Sequence, residues 1–391
     1  MTKKLLLLGA TIVVMMLLTE FALAMFFPQR TLNYLRERAP AVTAPSEILP
    51  YRLRPNAVRR LFGPEFDTTV RVNSSGYRNE EFEIQKGEQF RALVLGDSFT
   101  FGYGVEGEET YVARLQDRLR SKWPGREIEV INAGFASCQY PDTYYLYLRE
   151  SGLALDPDLV IVGFFIGNDI DHGLAAENVW TEVNEDGLPD KIEQPHVKFD
   201  GIHRVSKVAP RRYRYPVLRN SHLVQGLVAL RSSINQPEPR AFHNPYMYRT
   251  EYEERTVKRV EKVQQLFLAM KKLTDDQGVD FLVVVIPTRE QVYPDEFPFQ
   301  DPPYSGKVDL EKPQRIFGEF FAENGIESID LLPDLRATAA QQNLYFLEDQ
   351  HLTREGHELV SAVLEDSVAV SSALDSWLAS GGVADDASVG L

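Results

Sequence analysis

Ser98 is the residue whose type and setting most directly indicate nucleophilic chemistry. It ends the tripeptide Gly96-Asp97-Ser98, which directly follows the apolar run from Arg91 to Leu95. A strand-to-helix turn at this point would present the hydroxyl above a sheet. A serine hydroxyl is a weak nucleophile unless a base lies beside it. The folded chain therefore has to bring a histidine to Ser98.

His351 is the best-placed base among the seven histidines. Five others lie in an irregular stretch and His357 falls inside a predicted helix, whereas His351 lies in the loop before that helix. Asp349 would face the same side as His351 in an extended segment, while Glu348 would need a bend. We expect Asp349 to orient the imidazole, with Glu348 as the alternative, and His351 to take the proton of Ser98.

Three groups can stabilise the oxyanion that forms when a serine attacks an ester. They are the backbone N–H of Ser98, the backbone N–H of Gly134 and the side-chain amide of Asn168. Losing one such donor commonly costs on the order of 100- to 1000-fold in rate. A glycine at 134 lets the backbone approach substrate closely, and an asparagine donates without carrying charge. These groups are expected to form an oxyanion hole.

Five apolar strands must position these side chains. The predicted strands are residues 91–95, 127–131, 158–166, 280–286 and 328–331, and helical patterns separate them. Parallel strands need crossover connections, and helices in those crossovers cover both faces of the sheet. The sequence therefore predicts an α/β fold with a five-stranded parallel sheet. Ligand sites in such sheets form at the carboxyl ends of the strands, where the candidate residues lie.

Residues 5–27 form an apolar run behind two lysines, about the ~20 residues that a helix needs to cross a bilayer. The run is either an uncleaved anchor or a signal peptide cut after Ala22-Leu23-Ala24. Glu20 shortens the strictly apolar part and favours the signal peptide, whereas the continuation through Phe27 favours the anchor. We expect a single-pass anchor with the remaining chain outside the cytoplasm, in the periplasm or at the cell surface. Cleavage would instead give a secreted protein.

The domain organisation follows from these patterns. We expect a membrane anchor or signal peptide at 1–28, a linker and N-terminal extension at 29–85, a domain at 86–375 and a disordered tail at 376–391. Within the domain, an insertion without regular alternation spans about 172–251. Specificity would lie in this insertion and in the loops that follow the strands.

Composition excludes several classes of protein. A net charge of −15, from 42 basic and 57 acidic residues, argues against a nucleic-acid partner. Hydrophobic residues make up 43% of the chain, which suits a globular core. A single cysteine, Cys138, rules out an intramolecular disulfide framework. Since neither a CxxC nor an HExxH motif is present, we expect no metal and no cofactor.

The ordered set Gly96-Asp97-Ser98, Gly134, Asn168 and His351 resembles the motifs of the SGNH (GDSL-type) hydrolase superfamily. The resemblance spans about residues 90–370 and implies a flavodoxin-like, three-layer α/β/α fold and carbohydrate or lipid ester chemistry without a metal. Many members place an aspartate three residues before the histidine, where this chain has Glu348. The Asp-x-His spacing is instead similar to the branch of exported alginate O-acetyltransferases, although that branch carries its pair upstream of the serine.

Three functions follow as hypotheses. The first is a serine ester hydrolase that removes acyl groups, such as acetyl, from a carbohydrate or a related ester. The second is an O-acyltransferase that acts on an exported polysaccharide. The third is a non-catalytic, membrane-anchored glycan-binding protein that keeps the fold without turnover, because a fold does not guarantee a function.

Overall fold

A computed structural model describes most of the chain. The described residues are 2–29, 42–63, 65–136, 139–170, 180–193, 197–200, 203–206, 218–234, 245–297 and 307–380. They fall into two compact units, the first made of residues 1–41 and 195–240, and the second of residues 42–194 and 241–391. All the candidate site residues belong to the second unit.

The strands of the described residues form one central sheet and four hairpins. In chain order they are β1 (Thr43–Ala44), β2 (Arg52–Leu53), β3 (Val58–Phe62), β4 (Asp67–Arg71), β5 (Phe90–Gly96), β6 (Ile128–Gly134), β7 (Leu159–Phe165), β8 (Trp180–Val183), β9 (Pro189–Glu193), β10 (Val197–Asp200), β11 (His203–Ser206), β12 (Asp280–Ile286) and β13 (Glu327–Asp330). The central sheet is parallel and has the order β13-β12-β7-β5-β6. This confirms the predicted five-stranded parallel sheet.

The helices lie before, between and after the strands of this sheet in the chain. In chain order they are α1 (Thr2–Phe26), α2 (Ser98–Phe101), α3 (Tyr111–Lys122), α4 (Pro141–Tyr147), α5 (Ile166–Asp169), α6 (His222–Ile234), α7 (Glu254–Asp275), α8 (Arg289–Val292), α9 (Lys312–Glu323), α10 (Leu332–Ala339), α11 (Arg354–Glu365) and α12 (Val368–Ala379).

Helices cover both faces of the sheet, as a three-layer α/β/α fold requires. On one face, β5 packs through Val94 into a core that includes Leu115 of α3, Leu335 of α10 and Leu364 of α11. On the other face, Phe164 of β7 meets the ring of Phe267 of α7 at 5.0 Å and that of Phe317 of α9 at 4.8 Å. Strands β5 and β7 are therefore buried throughout, and their apolar sequences follow from coverage on both sides.

The strand order determines where a site can form. After β5 the chain moves to β6 on one side, and after β6 it crosses to β7 on the other side of β5. Crevices of doubly wound sheets open at such a reversal, outside the carboxyl ends of the strands. The register pairs Gly96 with both Gly134 and Gly163, so β5 and β6 end level, and β7 runs two residues further, to Phe165. Residues that directly follow these strands share one edge of the sheet.

The segment before β5 is packed structure over residues 42–63 and 65–85. It contains the hairpins β1–β2 and β3–β4, and Val42 and Tyr51 are fully buried. The expectation for 29–85 was a linker and an N-terminal extension, and because a free linker does not bury such side chains, these residues fit the extension. The sequence pattern missed β1 and β2, which have only two residues each, and also β3 and β4, which have five. Residues 30–41 lie outside the described part.

The ends of the domain also differ from the sequence boundaries. Helix α12 continues to Ala379, and Trp377 packs against Phe90 with the ring centroids 5.9 Å apart. The ordered part therefore passes the expected boundary at 375, and residues 381–391 of the expected tail lie outside the described residues. The expected insertion at 172–251 contains strands β8 to β11 and helix α6 where it is described.

The first unit is built on α1. The stretch Lys3–Phe26 is long and apolar enough to cross a membrane. The carboxylate of Glu20 accepts hydrogen bonds from Ser221 Oγ at 2.8 Å, from His222 N–H at 2.6 Å and from Leu223 N–H at 2.9 Å. Glu20 thus satisfies N–H groups that the start of α6 would otherwise leave without partners.

Candidate active site

Ser98 is the first residue of α2, and Asp97 lies between it and Gly96, the last residue of β5. The Asp97 carboxylate accepts the N–H of Phe99 at 2.9 Å and the Nδ2–H of Asn168 at 2.8 Å. Burial raises the pKa of Asp97, while these two donors favour its ionised form. Asp97 therefore fixes the strand-to-helix turn on which Ser98 is presented.

His351 lies against Ser98. Its Nε2 is 2.7 Å from Ser98 Oγ, and its Nδ1 is 2.5 Å from Asp349 Oδ1. With the proton on Nδ1, the ring donates to Asp349 and Nε2 accepts the hydroxyl proton of Ser98. The fold thus brings together the nucleophile, base and acid that the sequence suggested, from residues 253 positions apart.

Asp349 and His351 meet through a tight turn. Gln350, between them, has a φ of 69°, in the left-handed region that non-glycine residues rarely adopt. The flanking backbone closes a short hairpin, in which Phe346 N–H donates to the carbonyl oxygen of His351 at 2.8 Å and Tyr345 bridges to Leu352. The expectation of an extended Asp-x-His segment was wrong, because the segment turns rather than runs straight.

Of the two acids considered, only Asp349 contacts the imidazole. The side chain of Glu348 is exposed, and its backbone N–H donates to Glu65 at 2.8 Å. A carboxylate three residues before the histidine therefore points into solvent at this turn.

Glu65 is a residue of the site that the sequence did not reveal. Its carboxylate accepts the backbone N–H groups of Leu347 at 2.7 Å, Glu348 at 2.8 Å and Asp349 at 2.9 Å. Glu65 lies in the segment expected to be a linker, more than 280 positions from the loop it binds. No local pattern marks such a contact, because only the tertiary fold creates it.

Two aromatic rings enclose the imidazole. The ring of Phe99 and the ring of Tyr103 each lie 4.8 Å from that of His351, at angles of 35° and 33°. Phe99 follows Ser98 directly, so α2 supplies both the candidate nucleophile and one of the rings that pack on His351. These contacts limit the ring to orientations that keep Nε2 near Ser98.

The backbone N–H of Gly134 already has an acceptor. It donates to Asn132 Oδ1 at 2.9 Å. A Cβ atom at Gly134 would lie 2.3 Å from the backbone nitrogen of Phe101. The close approach of α2 to β6 therefore requires a glycine at this position, and the expected role of its N–H toward substrate stays a prediction.

Asn168 keeps donor capacity toward the site. It lies in α5, directly after β7, and one Nδ2 hydrogen serves Asp97, which leaves its second hydrogen. Its buried Oδ1 has no partner among the residues that the structure describes. The neighbouring Asp169 accepts from Phe165 N–H at 2.9 Å and from Tyr144 O–H at 3.0 Å. Burial raises the pKa of Asp169 well above its usual value, and the Asp97 charge adds to this.

The remaining expected donor is the backbone N–H of Ser98, for which no acceptor occurs within the described ranges.

No group of three or more His, Cys, Asp or Glu side chains able to hold a metal ion occurs among the residues that the structure describes. Cys138 lies outside them.

One family of known proteins matches part of the chain. The family described as an SGNH hydrolase-like domain of the acetyltransferase AlgX matches residues 244–376, which include Asp349 and His351. No curated protein matches the chain.

Similar solved structures include three esterases or lipases. The lipase/acylhydrolase from Enterococcus faecalis is 12% identical, with 72% of this chain and 96% of that chain covered and a TM-score of 0.38. The psychrotrophic esterase EstA from Pseudoalteromonas sp. is 14% identical, with 74% and 98% covered and a TM-score of 0.35. A two-domain esterase active on acetylated mannans is 14% identical, with 74% and 50% covered and a TM-score of 0.37.

The sheet order, the motif residues and the family match together define the class: the chain resembles the SGNH hydrolases, enzymes that hydrolyse esters or transfer acyl groups. Within that class the match is to the AlgX acetyltransferase branch. The resemblance to the SGNH superfamily, and to its branch of exported alginate acetyltransferases, is therefore confirmed.

Proposed function

We propose that this protein is a serine ester hydrolase of the SGNH type that removes acyl groups, acetyl in particular, from a carbohydrate or a related ester. The observation that carries the proposal is the chain of contacts Ser98 Oγ, His351 Nε2, His351 Nδ1 and Asp349 Oδ1, with distances of 2.7 Å and 2.5 Å across its two hydrogen bonds. This is the arrangement that activates a serine hydroxyl.

In the proposed reaction, His351 takes the Ser98 proton as Oγ bonds to the acyl carbon, and the carbonyl becomes an oxyanion. Collapse of this intermediate breaks the bond to the alcohol, which leaves with the proton held by His351. A water molecule then gives its proton to His351 and attacks acyl-Ser98, and collapse releases the acid and restores Ser98. Asp349 keeps the imidazole in one tautomer and stabilises its charged form throughout.

We propose Ser98 N–H and the second Nδ2 hydrogen of Asn168 as the oxyanion donors available at rest. The N–H of Gly134 contributes only when it leaves Asn132 Oδ1, its acceptor in the structure. An oxyanion is a stronger acceptor than an amide oxygen, so substrate would compete for this donor in the transition state.

Acyl transfer is the alternative that a specific finding favours, namely the match to the AlgX acetyltransferase family. A sugar hydroxyl of an exported polysaccharide would then attack acyl-Ser98 in place of water. The two reactions share every residue of the first half, and they differ in whether acetate or an acetylated oligosaccharide is released.

We propose that α1 remains attached as a single-pass membrane anchor and that the second unit lies outside the cytoplasm. The support is Glu20, which lies inside the apolar helix and accepts three hydrogen bonds at the start of α6. Removal of α1 would take this acceptor away from a helix of the remaining chain. The interaction gives Glu20 a role that a discarded signal peptide would not need.

Acetate release from p-nitrophenyl acetate by the full chain in detergent tests the proposal. Ser98→Ala and His351→Ala should each lower kcat on the order of 1000-fold or more, while Ser121→Ala, at an exposed serine of α3, should match the wild type. Equal turnover in all variants would contradict the serine mechanism and favour the hypothesis of a non-catalytic glycan-binding protein. Addition of an oligosaccharide acceptor then separates hydrolysis from transfer by product mass.

A further inference from the structure

We propose that Glu65 is a positioning residue for the Asp349–His351 pair, an inference that rests on the proposed function. Its carboxylate binds three consecutive backbone N–H groups, those of residues 347, 348 and 349. Both carboxylate oxygens take part, since Oε1 accepts from Leu347 and Oε2 accepts from the other two. Glu65 does not touch the reacting atoms and acts only through the loop.

Consecutive N–H groups that point to one spot form a concave site for an anion. Hydrogen bonds from such groups to a carboxylate are about twice as strong as those between neutral partners. Glu65 therefore supplies the loop with an internal anion, and it fixes three successive peptide planes at once. The loop, in turn, places the carboxylate of Asp349.

Asp349 links the Glu65 contact directly to the imidazole. Its backbone N–H donates to Glu65 at 2.9 Å, and its side chain holds His351 Nδ1 at 2.5 Å. The next residue, Gln350, has left-handed backbone geometry, with a φ of 69°. A non-glycine residue keeps that conformation only where its surroundings enforce it. We infer that the Glu65 contacts provide much of this enforcement.

The residue after Glu65 strengthens the contact. The ring of Phe66 lies 5.4 Å from that of Phe346, at the start of the loop, and 5.5 Å from that of Tyr103. Tyr103 flanks the imidazole of His351. Residues 65 and 66 thus bind both the loop that carries the histidine and a ring that packs on it.

The test compares Glu65→Gln with Glu81→Gln in the full chain. Glutamine keeps the size of the side chain but replaces one acceptor oxygen with an NH₂ group, which cannot accept a backbone N–H. Glu81 is a matched control, because its exposed carboxylate also accepts a backbone N–H, that of Ser74 at 3.0 Å, and its hydrogen bonds are to Ser74, which is not a site residue.

We expect Glu65→Gln to lower kcat for p-nitrophenyl acetate by about 10- to 100-fold with little change in KM, since small misplacements of a catalytic pair cost this much. Glu81→Gln should stay within about twofold of the wild type. A Glu65→Gln enzyme as active as the Glu81→Gln enzyme would overturn the proposal.

A double-mutant cycle with Asp349→Asn separates positioning from general destabilisation. If Glu65 acts through Asp349, adding Glu65→Gln to Asp349→Asn should cost less than about threefold, because the orientation it protects is already lost. An undiminished loss in the Asp349→Asn background would count against the inference. Full activity of Ser98→Ala would instead remove the proposed function itself, so the two failures are distinguishable.

Discussion

Gly134 donates its backbone N–H to the side-chain oxygen of Asn132 at 2.9 Å, so a donor expected to serve substrate is already occupied within the protein. Asn132 is itself held in place, because its Nδ2 donates to the carbonyl oxygen of Thr100 at 2.9 Å. The residue that competes for the Gly134 donor is thereby tied to α2, the helix that begins at Ser98. If Gly134 serves the proposed oxyanion hole, its availability as a donor would therefore depend on an amide side chain that is bound to α2.

The close packing of β6 on α2 predicts that Gly134→Ala destabilises the fold. The added Cβ would lie 2.3 Å from the nitrogen of Phe101, and such overpacking commonly costs about 1–3 kcal/mol of unfolding free energy. Gly318→Ala is the control, because this exposed glycine of α9 has nothing within 4 Å of its added Cβ, and the change should be neutral or stabilising. Urea unfolding measures both, and equal midpoints would contradict the packing argument.

The choice of acid predicts a large difference between two neighbouring carboxylates. Asp349→Asn should lower kcat by on the order of 10⁴-fold, because the amide favours the wrong tautomer of the histidine. Glu348→Gln should leave kcat within about twofold, since this side chain is exposed. Steady-state kinetics on p-nitrophenyl acetate decides the matter, and a larger loss in Glu348→Gln would reverse the assignment.

Asn168 is predicted to contribute to kcat through its free Nδ2 hydrogen. Asn168→Ala should reduce kcat by on the order of 100- to 1000-fold, with KM nearly unchanged. Asn168→Asp should be at least as inactive, because it removes the donor and places a second carboxylate where the amide now contacts Asp97 at 2.8 Å. A kcat close to that of the wild type in Asn168→Ala would remove this residue from the oxyanion hole.

Much of the fold follows from the sequence for a physical reason. Strands β5, β7 and β12 are covered on both sides, so apart from Arg91 and Asp280 near their starts they consist of apolar residues and glycine, and their ends could be predicted to within two residues. The parallel arrangement then places whatever follows each strand at one edge. Ser98 and Asn168 could be assigned to the same site on this basis alone.

The remaining features depend on contacts that no local pattern records. Glu65 and the loop it binds are distant in sequence, and the turn at Gln350 uses a backbone conformation that glutamine does not signal. The occupied N–H of Gly134 depends on the rotamer of Asn132. A motif specifies which residues are present, whereas the side-chain conformations and contacts of the folded chain decide which donors are free.

His357 is predicted to make the fold less stable in acid. Burial lowers its pKa from 6.5 to about 3, and its Nδ1 accepts the N–H of Tyr111 at 3.1 Å. Between pH 6.5 and about 3 the unfolded chain binds a proton here that the folded chain excludes, so this contribution to stability is complete above pH 6.5 and is lost as the pH falls.

His357→Asn tests this prediction, because asparagine offers an oxygen as acceptor for Tyr111 without a titrating group. The variant should show a shallower fall in melting temperature between pH 6.5 and 4 than the wild type. Parallel curves for the two proteins would contradict a neutral, buried His357.

The hydrogen bonds of Glu20 predict that the protein extracted from membranes keeps its N-terminal helix. Intact mass should include residues 1–24, and the protein should stay with the membranes through alkaline carbonate washing. A chain that begins at Met25, one residue past the Ala22-Leu23-Ala24 site, would contradict retention.

Glu20→Ala should leave the anchor in place, because it makes α1 more apolar, while the start of α6 loses the acceptor of three hydrogen bonds. Proteolysis at residues 218–223 should therefore become faster in Glu20→Ala than in Glu185→Ala, a control at an exposed acidic residue of the second unit.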